Sequence, residues 1–430
     1  DVTAEKPAAL AHVGKLFAGR MPALFMLTGP GGTLNPTGPQ VRRVPFMVTL
    51  PTGAAPAGGF PVVIFGHGLT GARTNMLYIA EAFATAGLAT IATDVVWHGD
   101  RSVCTGSKAA TGQASDDASC ANPATQMCDA ATGRCVGRGA AIACDPATAG
   151  LGDVACGTAG LGACVPDAAP ATTWHCEGGD FKRDGAGTPL ISGWNMLDLK
   201  NLFATRDNFR QQVVDLSQLA RVIADTSTTS LNAKLALAGA AGGLDATKVH
   251  YAGQSLGGFL GTLFNSVSPV THHVLLNVAG ADWVNALLVS PAFSAQRAGF
   301  LGFLASEGVT PGTPGFDAFI VIARWILDPA DPQNVAYQLT HGATLPADRA
   351  VLIQYIKDDF VVPNSSTDEL VAAANREGDA KQCLVRMVSP TFAELGPAAR
   401  HGFLLNFANP TVTAAAQSQA VTFLTTGSVP

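Results

Sequence analysis

The chain has 430 residues, 47% of them hydrophobic, enough for one large domain with insertions or two ordinary ones, and for a sizeable core. Charged residues are only 13%, and 26 Lys and Arg against 32 Asp and Glu give a formal charge of −6, which argues against a nucleic-acid or charge-held membrane partner. The 47 Gly and 26 Pro stay below the roughly 25–30% that marks low complexity, and no apolar run reaches the roughly 18 residues of a membrane span: the greasiest stretch, 318–327, carries Arg324.

The chain opens at Asp1 without Met or an apolar leader and reads as a mature or trimmed form. Residues 8–17 are a short amphipathic stretch, followed by a Pro/Gly-rich passage, and 44–50 reads as a strand approaching a sheet. Residues 62–65 form an apolar strand that runs into Gly66-His67-Gly68-Leu69-Thr70-Gly71, a glycine-rich turn where backbone can face a ligand closely. A second such strand, 89–93, leads into the loop Asp94-Val-Val-Trp97-His98-Gly99-Asp100. His67 and His98 are expected to brace their turns by hydrogen bonds, with a substrate contact as the alternative for His98.

Residues 102–190 break the rhythm. Eight cysteines (Cys104, Cys120, Cys128, Cys135, Cys144, Cys156, Cys164, Cys176) crowd into a Gly/Ala/Asp/Thr-rich segment that cannot hold itself together by burial. An even count there reads as a disulfide framework formed in an oxidising compartment. The alternative is a zinc site, although the closest pair, Cys128 and Cys135, has six residues between, wider than the usual metal spacing. Cys383 stands apart in an apolar run and is expected to be a buried free thiol.

Residues 207–224 show helical periodicity through Phe209, Val213, Leu216, Leu219, Ala220 and Ile223. Strand 249–252 then enters Gly253-Gln254-Ser255-Leu256-Gly257-Gly258 and a helical pattern. Gly-x-Ser-x-Gly between strand and helix is the pattern of a nucleophile lifted clear of a sheet on a tight turn, where larger flanking side chains would collide. After strand 273–278, residues 291–342 hold helical pieces at 295–306 and 316–327, placed to form a cap or lid.

A serine hydroxyl needs a base to take its proton and an acid to orient that base. Strand 351–356 ends in Lys357-Asp358-Asp359, carboxylates at a strand's carboxyl end, where ligands gather in open parallel sheets. Asp359 is the expected acid, with Asp358 the near rival. After strand 383–388 comes His401, the only histidine beyond that point, and so the expected base. The backbone N–H groups of Leu69 and Leu256 are the expected oxyanion donors. No dinucleotide, zinc-protease or calcium-loop pattern is present, so neither cofactor nor metal is expected.

Continuous apolar strands alternating with helices predict an α/β fold, a mostly parallel sheet covered on both faces. Together these residues resemble the α/β-hydrolase superfamily over most of the chain outside the cysteine-rich insertion. The expectation is one α/β-hydrolase domain, 1–430, with the disulfide-rich insertion at 102–190 and the helical cap at 291–342. More narrowly, Gly66-His-Gly-Leu-Thr-Gly71 with Asn75-Met76, Asp94…Trp97-His-Gly-Asp-Arg101, Asp207-Asn-Phe-Arg-Gln211, Ser290-Pro-Ala-Phe293 and Leu327-Asp-Pro-Ala-Asp-Pro332 resemble bacterial secreted or surface-anchored lipases of the virulence-factor type. In those proteins an extra β-rich domain often precedes the hydrolase, and the elbow often has His where Gln254 stands.

The resemblance implies hydrolysis of carboxylic esters, often of lipids, on a Ser-Asp-His triad; with the cysteines, the expectation is a secreted, periplasmic or cell-surface enzyme acting as a monomer. The substrate is then a small-molecule or polymeric ester, with contact at a lipid interface. Alternatives are a polyester hydrolase, a peptidase or acyltransferase, or a non-catalytic binding module.

Overall fold

The structure is a computed structural model that describes residues 2–5, 10–106, 115–138, 143–145, 147–148, 152–158, 161–166, 173–179, 181–240, 242–376, 378–388 and 395–429. Parts of the predicted 8–17 stretch and of the 102–190 insertion lie outside the described residues.

The strands are β1 (Val2–Glu5), β2 (Val13–Phe25), β3 (Gln40–Pro51), β4 (Phe60–Gly66), β5 (Ala89–Thr93), β6 (Gln126–Cys128), β7 (Cys135–Gly137), β8 (Leu161–Pro166), β9 (Trp174–Gly179), β10 (Leu244–Gln254), β11 (Thr271–Asn277), β12 (Ala350–Tyr355) and β13 (Leu384–Met387). Nine of them make one sheet in the order β1-β2-β3-β5-β4-β10-β11-β12-β13. β1, β2, β3 and β5 pair antiparallel in succession, and every pair from β5 through β13 is parallel.

Alternate side chains of the central strands enter two cores. Val62 and Ile64 of β4 pack with Leu216, Leu219 and Ile223 of the helix Leu202–Ala224. Val63 and Phe65 pack on the other face with Ile79 and Phe83 of the helix Leu77–Thr85 and with Phe423 of the helix Pro410–Thr426. Both faces of the parallel sheet are therefore covered, which is why these strands read as unbroken apolar runs. This strand order, with helices on both sides, is that of an α/β-hydrolase fold.

Two segments differ from expectation. The stretch around 8–17 turns into a 13-residue strand, β2, that continues through Gly19 and Pro22. β1 covers only Leu16–Gly19, so Pro22 lies where β2 pairs with β3 alone and a missing N–H is tolerated. The helix expected at 207–224 begins at Leu202, because the Asn201 side chain accepts from the Ala204 N–H and caps it.

Between β5 and the helix Leu202–Ala224 the cysteines pair as Cys104–Cys128, Cys120–Cys135, Cys144–Cys164 and Cys156–Cys176. The first two bridge the β6/β7 ribbon and its surroundings, the others the β8/β9 ribbon. The sulfur atoms of Cys144, Cys156 and Cys164 lie within 4.8 Å of one another, but all three are held in disulfides, which answers the zinc alternative for these residues. Such bridges indicate an oxidising environment. Cys383 is a free, buried thiol whose pKa burial pushes up to about 12, so it stays unreactive. Between β11 and β12 lie the helices Trp283–Val289, Ser294–Ser306 and Pro314–Leu327, the last capped by the Thr313 hydroxyl. No described helix is long and apolar enough to cross a membrane.

Candidate active site

β10 ends at Gln254, and the chain reverses at Ser255 into the helix Leu256–Asn265. Ser255 has φ 57° and ψ −119°, a conformation that disfavours side chains and is tolerated only where the surroundings fix it. Three hydrogen bonds do so: the Ser255 N–H donates to Asn277 O at 2.9 Å, and its carbonyl accepts from the Gly258 and Phe259 N–H groups at 2.7 and 3.1 Å. The glycines are needed because a Cβ on Gly257 would lie 2.1 Å from Gly66 O, and one on Gly253 2.2 Å from Gly257 O.

His401 closes the short helix Pro397–His401, which follows β13. Its Nε2 is 2.7 Å from Ser255 Oγ, and its Nδ1 is 2.9 and 2.8 Å from the two carboxylate oxygens of Asp359. Asp359 is itself fixed, accepting at Oδ1 from the Val361 and Val362 N–H groups at 2.8 and 3.1 Å. All three side chains are buried, 7–8% exposed as residues, so water competes little for these bonds. Asp358, the rival acid, turns to solvent at φ 57°, with a carboxylate oxygen 3.6 Å from Arg400. The structure thus brings together Ser255, His401 and Asp359 and leaves Asp358 outside.

Gln254 donates from Nε2 to His401 O at 3.3 Å and so ties the elbow to the histidine's helix. That contact joins residues 147 positions apart and has no signature in the sequence.

The turn after β4 lies alongside: a Cβ on Gly68 would sit 3.4 Å from the Ser255 Cβ. The Gly71 N–H donates to Gly68 O at 3.1 Å and Thr70 takes φ 64°. His67 braces this turn, with Nδ1 donating to Gly68 O at 2.8 Å and Nε2 accepting from the Val95 N–H at 3.0 Å. The N–H groups of Leu69, in the turn, and Leu256, first in its helix, have no acceptor among the described residues. Free backbone donors beside a nucleophile are what an oxyanion requires.

The exit of the cysteine-rich segment supports this turn. Ser192 Oγ donates to Gly71 O at 2.6 Å and accepts from the Gly99 N–H at 3.0 Å, and the Gly193 N–H donates to Trp97 O at 2.8 Å. Gly193 has φ +82° and passes so close that a Cβ there would lie 2.6 Å from His98 Nε2. His98 holds its own loop by donating from Nδ1 to Val96 O at 2.9 Å.

Solved esterase structures are similar to this chain. An acetyl xylan esterase from Paenibacillus sp. R4 is 14% identical, with 90% of this chain and 81% of that one covered and a TM-score of 0.44. Carboxyl esterase 2 from the mycorrhizal fungus Tuber melanosporum is 12% identical, with 95% and 87% covered and a TM-score of 0.41. No family model and no curated protein matches the chain. The strand order, not these scores, defines the fold.

The buried histidines have a consequence for stability. Burial lowers the pKa of His67 and, further, of His98, and it holds His250 on β10 down to about 3. Each stays neutral in the folded chain but protonates in the unfolded one below about 6.5, so the unfolded state binds more protons there. Their contribution is full above about pH 6.5 and is lost as pH falls below it. Asp215 and Asp331, raised by burial, work in the opposite sense. The histidine effect is therefore read as a difference: His250→Gln is expected to lose less melting temperature than the native chain between about pH 7 and 5. Equal losses would contradict a neutral buried His250.

Proposed function

We propose that this chain is a serine hydrolase of carboxylic esters, with Ser255 as nucleophile, His401 as general base and acid, and Asp359 as the orienting carboxylate. The observation that carries the reading is the unbroken contact from Asp359 through His401 to a serine on a strained strand-to-helix turn. Ser255 Oγ attacks the ester carbonyl as its proton passes to His401 Nε2. The carbonyl oxygen becomes an oxyanion facing the Leu69 and Leu256 N–H groups. Collapse breaks the bond to the alcohol, which takes the proton from His401, and leaves an acyl group on Ser255. Water then attacks that acyl group, losing a proton to His401, and the acid departs as Ser255 recovers its proton. Asp359 stays ionised throughout, holding the Nδ1–H tautomer and stabilising the imidazolium.

The finer reading is a secreted or cell-surface bacterial enzyme of the virulence-factor lipase type. The four disulfides support an oxidising compartment. The helices Ser294–Ser306 and Pro314–Leu327 serve as a cap, and the second exposes Val321, Ile322 and Trp325, the last by 73%. An apolar face of this kind suits a lipid surface or a water-insoluble polyester, the second substrate reading.

The test is hydrolysis of 4-nitrophenyl esters from acetate to laurate. Turnover with a preference for chains longer than acetate is expected. Absence of turnover at every length would contradict the proposal.

A further inference from the structure

The turn that presents the Leu69 N–H does not hold itself. Leu69 and Thr70 are its two central residues, the Gly71 N–H closes it by donating to Gly68 O at 3.1 Å, and Thr70 takes φ 64°. A β-branched residue in that left-handed conformation is an outlier, and such strain persists only where the surroundings over-determine it. Here the two ends of the turn are pinned from different parts of the chain. His67 Nδ1 donates to Gly68 O at 2.8 Å, and the Ser192 hydroxyl donates to Gly71 O at 2.6 Å while accepting from the Gly99 N–H at 3.0 Å. Ser192 is 1% exposed, so water competes little for either bond. Gly193 passes over the middle of the turn, where a Cβ would lie 3.2 Å from Thr70 N.

Ser192 is in turn placed by the first half of the cysteine-rich segment. Its neighbour Ile191 packs in one buried cluster with Phe181 and the cystines Cys104–Cys128 and Cys120–Cys135. Backbone bonds continue the link: the Lys182 N–H donates to Ser119 O at 3.0 Å, and the Leu190 N–H to Lys182 O at 2.8 Å. The other two cystines pack with Trp174 in a second cluster, which among the described residues does not include Ile191. A segment with so little apolar bulk depends on its cross-links for a single arrangement.

We infer that Ser192 is a positioning residue for the Leu69 oxyanion donor, and that Cys104–Cys128 and Cys120–Cys135 sustain turnover through it. The inference rests on the hydrolase reading above and adds what keeps that site competent. Without the hydroxyl, Gly71 O loses its hold, and the strained turn relaxes and carries the Leu69 N–H away from where the oxyanion forms. Ser255, His401 and Asp359 are bonded to one another from other elements and keep their contacts. The loss therefore falls on the transition state, where negative charge develops, and not on the base.

The experiment measures kcat/KM for 4-nitrophenyl butyrate across pH, with the enzyme concentration taken from the end point of fluorophosphonate labelling, so that an unfolded fraction does not enter. Beside it is measured Ki for a trifluoromethyl ketone. Ser255 Oγ adds to the ketone carbon, its proton passes to His401, and the carbonyl oxygen becomes an oxyanion with no group leaving. Ser192→Ala is expected to lower kcat/KM about ten- to a hundredfold, no more than the roughly 10²–10³-fold of a donor removed outright. Ki is expected to rise by a similar factor, and the acid limb of the pH profile, set by His401, to stay in place. Native kcat/KM and Ki would overturn the inference and leave the hydrolase reading intact. So would a loss accompanied by a shifted acid limb, which would place the damage at His401.

The double substitution Cys120→Ser with Cys135→Ser is expected to show the same pattern, and Cys144→Ser with Cys164→Ser to keep native values. Equal effects of the two pairs would overturn the role given to the first two cystines. Should the Cys120 and Cys135 variant or Ser192→Ala not fold, Ile191→Ala tests the same link with the same expectation, and native values there would overturn the inference. If the native chain turns over no ester, the hydrolase reading fails and the inference with it.

Discussion

Ser255→Ala is expected to lower ester hydrolysis by about three orders of magnitude or more while leaving the melting temperature nearly unchanged. The loss is large because the mutation removes the atom that forms the acyl bond, and among the described residues no other hydroxyl is placed on His401 Nε2. The fold is spared because the elbow is held by backbone contacts, to Asn277 O, Gly258 N and Phe259 N, which alanine retains. The backbone strain at φ 57° is the same for either residue. A variant that kept native turnover would remove Ser255 from the chemistry, and one that failed to fold would mean that Oγ holds the elbow together.

Gly257→Ala is expected to show the opposite pattern, a loss of stability of about 3 kcal/mol or more. The added methyl would sit 2.1 Å from Gly66 O, 2.4 Å from Gly66 C and 3.0 Å from Gly66 Cα. These are backbone atoms of β4, paired to β10 on one side and β5 on the other, and cannot swing aside as a flexible side chain can. The strand or the helix Leu256–Asn265 must move, and either motion also displaces Ser255 from His401. A useful comparison is Gly302→Ala, within the helix Ser294–Ser306, where a Cβ meets nothing within 4 Å. That change is expected to be neutral or to stabilise by up to about 1 kcal/mol through helix propensity. Chemical denaturation of the two variants measures the contrast, and comparable stability would contradict the close-contact account.

Much of this was legible in the sequence because the fold writes its central strands plainly. β5 falls where its apolar run lies, and β4, β11 and β12 lie within two residues of theirs, since buried parallel strands have no polar face to interrupt the pattern. Ser255, Asp359 and His401 could be picked out because each follows a strand and their chain order is restricted. The loop's backbone separates Asp359 from Asp358: Asp358 takes φ 57° and faces out, while Asp359 turns in toward the Val361 and Val362 N–H groups.

What escaped the sequence depends on contacts between distant residues. The second half of β2 is masked by Gly19 and Pro22, which count against a strand unless one knows which part of its edge is open. The disulfide pairing could not be chosen from spacing alone. The roles of Ser192, Gly193 and Gln254 arise only when the exit of the cysteine-rich segment and the helix of His401 come against the two turns.

The central claim is that Ser255 is a nucleophile activated by His401 and Asp359. Its most direct measurement is covalent labelling with a fluorophosphonate, followed by intact mass and peptide mapping. The account predicts one phosphonyl group per chain, carried on Ser255, formed rapidly by the native protein and not by Ser255→Ala. A chain that stays unlabelled, or is labelled at another residue, would contradict it.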